Sequence, residues 1–158
     1  MRRLTRTPGF SGLFMALFAV SLLVPWTATA TAWAADVAVT VSGLRSTEGR
    51  IKAALFQGDS GFPVDYDSAY AVKLTRAVEG ARIVFRDVPP GEYAVSLYHD
   101  ENRSGKLDTN FIGMPKEGVG VSRNPKGRLG PPRFRDAAFA VPATGSTAVQ
   151  LPIVLKYL

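Results

Sequence analysis

The spacing of apolar residues changes rhythm once along this chain. Residues 13–24 are almost continuously apolar, a run of 12. Beyond Asp36 apolar and polar positions alternate instead. Val37, Val39 and Val41 share one parity, Ala38 and Thr40 the other, and Gly43 closes the stretch. Period two in β-branched residues predicts a strand. The alternation returns at 50–56, with Ile51, Ala53 and Leu55 inward, at 71–74, and at 82–86 with Ile83 and Phe85 on one face. It returns again at 93–98, where Tyr93, Val95 and Leu97 oppose Ala94, Ser96 and Tyr98. Pro89-Pro90-Gly91 is a rigid turn that sets the start of that strand. The last alternations are Ala137, Phe139 and Val141, then 149–155. Pro152 lacks an amide hydrogen, which places the final strand at a sheet edge.

Seven short strands with no helix after the leader predict an all-β fold. The expected architecture is an antiparallel β-sandwich of about seven strands, immunoglobulin-like or transthyretin-like, preceded by a signal-peptide helix. An outer-membrane barrel needs longer strands, of about 9–11 residues. Between Asp100 and Arg135 lie 36 residues without alternation. Excursions of that length are functional or disordered. Leu107, Phe111, Ile112, Met114, Val119, Val121, Leu129 and Phe134 are expected to pin this one to the sandwich as an ordered loop.

Composition changes the picture at the N-terminus. Arg2, Arg3 and Arg6 precede the apolar run, and Ala32-Trp33-Ala34 follows it. This is the layout of a Sec-type secretory signal peptide with cleavage between Ala34 and Ala35. A membrane span would need about 20 apolar residues. The expected organisation is a signal peptide at 1–34 and one β-sandwich domain at 35–158, periplasmic or secreted, with no membrane span after cleavage. Three of the 19 basic residues leave with the leader, so 16 face 13 acids. A scattered excess of that size gives no basis for nucleic-acid binding. With no cysteine, neither a disulfide nor a lipoprotein anchor is available.

The richest chemistry follows the fifth strand. Asp100, Asn102 and Ser104 carry oxygens at alternate positions, Gly105 allows a sharp bend, and Asp108 adds a carboxylate. This is the front of a calcium loop. The expected ligands are the side chains of Asp100, Asn102, Ser104 and Asp108 with the Lys106 carbonyl. Glu117, or else Glu101, supplies a further carboxylate once Met114-Pro115 has turned the chain back. A strict EF-hand is excluded, because its closing glutamate would fall at Phe111 and no flanking helices are visible. So few carboxylates imply weak Ca2+ binding, about 10⁻⁴–10⁻³ M. The competing reading is an Asx-rich turn satisfied by its own backbone.

His99 is the single histidine. A lone histidine at a strand end is more often packed than catalytic. An envelope hydrolase would need it to act with Asp100, Asp108 or Glu117, with Ser122 as nucleophile, but no nucleophile elbow is present. The run 113–122 is punctuated by glycines. It reads as positive-φ turns or as a bare backbone approaching a ligand. Tyr93, Tyr98, Phe85 and Phe56 read as core, and Phe134 as a plug after Gly130-Pro131-Pro132. The expected protein is a non-enzymatic one that binds an envelope or extracellular ligand. A purely structural accessory domain is the remaining alternative.

Four segments carry a resemblance: Val88-Pro89-Pro90-Gly91-Glu92-Tyr93-Ala94-Val95, His99 to Asp108, Gly113 to Ser122, and Gly130 to Ala137. In this order they resemble an exported bacterial family known as domain of unknown function 2141. The resemblance implies a small secreted or periplasmic β-sandwich and brings no established activity.

Overall fold

The computed structural model describes residues 34–125, 130–143 and 147–158. The leader up to Trp33 lies outside the described residues. Eight strands form: β1 (Ala35–Ser42), β2 (Arg50–Phe56), β3 (Ala71–Arg76), β4 (Ala81–Val88), β5 (Gly91–Asp100), β6 (Val119–Val121), β7 (Phe139–Val141) and β8 (Val149–Val154). One sheet has the order β4-β1-β8. The other has the order β3-β2-β5-β6, with β7 pairing the start of β5. The two pack as a sandwich.

The alternation read from the sequence is the reason for this packing. Val37, Val39 and Val41 of β1 and Leu151 and Ile153 of β8 face Ile51, Ala53 and Leu55 of β2 and Val95 and Leu97 of β5 in one buried cluster. Each such side chain, moved from water to the interior, contributes about 1.5–3 kcal/mol before entropy is counted. β8 pairs only with β1 and is therefore an edge, with Pro152 opposite Thr40. That pairing is parallel, whereas every other strand pairing among the described residues is antiparallel.

Three expectations change. β6 is a short strand inside the run 113–122, formed where period two spans only three residues. Its backbone lies close to β8: a side chain at Gly120 would meet Ile153 Cγ2 at 2.8 Å, and one at the preceding Gly118 the Tyr157 ring at 2.5 Å. Residues Phe134–Ala137 make a single helical turn before β7, which starts at Phe139. Finally, β5 does not have one wet face, since Tyr93 to Asp100 are all buried. The segment 57–70 folds over its outer side. Tyr66 sits edge-on to Tyr98, with centroids 5.3 Å apart, and Phe62 meets Phe56 at 5.4 Å. Phe62 also meets Phe134 at 5.8 Å, and a shallow cleft of about 600 Å³ opens between Phe62, Pro63 and the 131–135 segment. Among the described residues no helix is long and apolar enough to cross a membrane.

Candidate functional site: the loop after the central strand

β5 delivers His99 and Asp100 to the rim of the sandwich. Antiparallel register sets Arg50 of β2 directly opposite Asp100. The guanidinium Nε donates to Asp100 Oδ2 at 2.8 Å, and Gly105 N donates to the same oxygen at 3.0 Å. Asp100 is 0% exposed, and its Oδ1 has no partner. Arg50 Nη2 also reaches the Arg103 carbonyl at 3.4 Å, and Lys52 Nζ the Gly105 carbonyl at 3.1 Å. Two cations of β2 thus lie across the turn. Their functional weight was hidden in the sequence, where they are only the polar parity of a strand.

The predicted ligands come together, but mostly on one another. Asn102 Oδ1 accepts from Ser104 N at 3.0 Å, and Asn102 Nδ2 donates to Asp108 Oδ2 at 2.6 Å. Ser104 Oγ donates to the Lys106 carbonyl at 2.9 Å. Gly105 takes φ +81°, the left-handed bend expected of it. Glu117 returns as the sequence suggested and is 4% exposed. Its Oε1 accepts from Glu101 N at 3.1 Å and its Oε2 from Asp108 N at 3.2 Å, so one side chain ties both ends of the turn. Glu101 is drawn away to Arg45 and Ser46. Among the described residues no three His, Cys, Asp or Glu side chains are grouped to hold a metal ion.

Burial dominates the titration of Glu117 and Tyr98 here. Burial, then the Asp108 and Glu101 amides acting oppositely, then Asp100 and Asp108, hold the Glu117 carboxyl above its ordinary range. The Tyr98 phenol is pushed up to about 12, first by burial and next by Asp100. Glu101 is lowered, chiefly by its hydrogen bond from Arg45.

The would-be hydrolytic groups are closed off. His99 is 0% exposed. Its Nε2 lies 2.7 Å from the Glu48 carbonyl, which can only accept, so the proton sits on Nε2. Nδ1 then accepts from the Tyr157 hydroxyl at 2.8 Å. Ser122 is equally buried, donating to the Ala137 carbonyl at 2.6 Å and accepting from Val95 N at 3.0 Å. Both are structural pins with no face open to a substrate.

Beyond Asp108 the chain makes a narrow hairpin. Thr109 bridges Pro115, Asn110 N donates to the Met114 carbonyl at 2.8 Å, and Lys116 N donates to the Asp108 carbonyl at 2.9 Å. Asn110 Oδ1 accepts from Ile112 N and Met114 N, at 3.0 and 2.9 Å. The expectation that all the apolar residues of the excursion pin it inward fails at this tip. Phe111 is 98% exposed, Ile112 68% and Met114 41%. The hairpin closes on itself at Thr109 and Pro115, which leaves the tip residues no path back to the sheet.

The geometry joins a β-sandwich to the motif order noted above, and a family comparison decides the kinship. The chain matches DUF2141, described as "Uncharacterized protein conserved in bacteria", over residues 39–150. The chain belongs to the DUF2141 family. In this DUF2141 chain the match takes in the whole loop from Asp100 to β7 and strands β2 to β7, beginning within β1 and ending at the start of β8. No curated protein and no solved structure matches the chain.

Proposed function

We propose that this DUF2141 chain is exported, cleaved between Ala34 and Ala35, and works in the periplasm or outside the cell as a single-domain, non-enzymatic binding module. The observation that carries the reading is the 101–118 loop itself. Buried carboxylates give it a fixed shape at a cost in desolvation, yet its tip packs on nothing and holds Phe111 98% exposed. Stability given up to hold a loop away from the core is characteristic of recognition rather than of folding.

A weakly bound calcium-type ion belongs to the same reading. What supports it is Asp100 Oδ1, a buried carboxylate oxygen without a partner, beside Asp108 and Glu117, whose mutual repulsion a divalent charge would relieve. Asp100, Asp108 and the Lys106 carbonyl would hold it, with Asn102, Ser104 and Glu117 shaping the turn. Arg50 already compensates part of the charge, which keeps affinity low.

Two measurements test the proposal. The mass of the protein recovered from the envelope fraction should correspond to a chain beginning at Ala35; an intact leader sinks the export reading. Thermal unfolding in millimolar calcium should exceed that in chelator. Coincident curves, with no metal found by elemental analysis, remove the ion.

A further inference from the structure

The hairpin tip has three properties that rarely coincide on a water-facing loop. Its apolar side chains, Phe111, Ile112 and Met114, are the ones turned out. Most of its backbone donors are already used: the amides of Asn110, Ile112, Gly113 and Met114 bond within the hairpin. In the chain on either side of it, residues 100–108 and 116–118, the exposed charges are basic: Arg103, Lys106 and Lys116. The neighbouring acids are buried or engaged. Asp100 is paired with Arg50, Glu101 with Arg45, Asp108 with Asn102, and Glu117 with two amides.

We propose that the 109–115 hairpin is a membrane-interface wedge that sets Phe111, Ile112 and Met114 among the acyl chains of an anionic lipid surface, with Lys106, Lys116 and Arg103 at the headgroups. This rests on the reading of the loop as a binding surface and names its partner. Backbone groups approaching hydrocarbon favour internal partners, and Asn110 supplies them to the amides of Ile112, Gly113 and Met114. Aromatic and aliphatic side chains with a basic collar suit the boundary between headgroup and hydrocarbon. A protein groove would accept the apolar tip equally well, but the collar's single sign favours an extended negative surface.

The chain supplies its own spectroscopic test. Trp26 and Trp33 are its two tryptophans, and both precede Ala35. The chain from Ala35 onward carries both sheets and the whole buried cluster, so Phe111→Trp in that chain places the sole tryptophan on the tip. With vesicles containing phosphatidylglycerol, its emission should shift to the blue and be quenched by brominated acyl chains; with pure phosphatidylcholine it should barely respond. Lys106→Gln with Lys116→Gln should weaken vesicle binding roughly 25-fold, about fivefold per charge. Phe111→Ser with Ile112→Ser should abolish cosedimentation while the melting temperature stays unchanged, which separates loss of the wedge from loss of the fold.

An unshifted tip tryptophan in protein that still cosediments means binding elsewhere and overturns the proposal, as does absence of cosedimentation. A blue shift that grows with protein concentration without lipid, accompanied by dimer in sedimentation, assigns the tip to a second copy and also overturns it. A response to envelope proteins but not to vesicles overturns the lipid partner and leaves the binding surface standing. Silence towards both removes the binding surface as well.

Discussion

Glu117 closes the loop by accepting from the amides of residues 101 and 108. Replacement by alanine strands two donors in a dry environment, and a loss of about 2–3 kcal/mol is expected in urea unfolding. Its pH dependence has a definite sign. The folded state holds the Glu117 proton more tightly than the unfolded chain does. The associated stability is complete below the unfolded pKa and is lost as pH rises through the raised folded value. Glu101 behaves oppositely: held low by Arg45, it contributes above its unfolded pKa, a contribution lost as pH falls through the lowered one. Glu117→Gln keeps the size and one acceptor, leaves one of the two amides facing an NH2 group, and removes the titration. Its destabilisation relative to the parent should therefore be larger near pH 4 than near pH 7, and a reversed trend in denaturant midpoints would contradict the assignment. Gly118→Ala reaches the same region from behind. Its methyl would meet the Tyr157 ring at 2.5 Å, displacing the hydroxyl that His99 Nδ1 needs. A changed His99 Nδ1 chemical shift in nuclear magnetic resonance would report it.

At the scale of elements, the register of β2 against β5 decides what the loop can be. Arg50→Met removes the partner of a fully buried aspartate, and about 3 kcal/mol of destabilisation is expected by chemical denaturation. Asp100→Asn in the same background should recover much of that loss, because the uncompensated charge is then gone. Most strands were legible in the sequence, since one face of each meets the core and period two follows from that. β6 was not, because three residues between glycines carry too little alternation. The second covered face of β5 was also invisible locally, for it depends on Tyr66 and Phe62 arriving from another segment. The candidate site was legible as a cluster of oxygens around Gly105. Which atoms those oxygens face was not legible, because Arg50 and Lys52 come from a strand 50 residues earlier. Hydrophobicity alone predicts Phe111 and Ile112 inward. A hairpin that satisfies its own backbone overrides that preference.

For the whole molecule, the cover over β5 joins the two ends of the long excursion. Phe134 packs on Phe62, which packs on Phe56. Phe62→Ala, at a partly buried ring, should lower stability by about 1–2 kcal/mol through lost contact, while the 109–115 tip keeps its shape. Backbone amide shifts of the tip unchanged in that variant would show that cover and tip are mechanically separate.

The parallel contact between the first strand and the last has a further effect on how the chain reaches its final state. Val37 lies beside Val149 and Val41 beside Ile153, so the N-terminal segment must wait, one flank bare, until the C-terminal residues have emerged. Contacts so distant in sequence are slow to form. Until β8 arrives, the sheet that contains β1 holds only β4 and β1 and stays open along that flank.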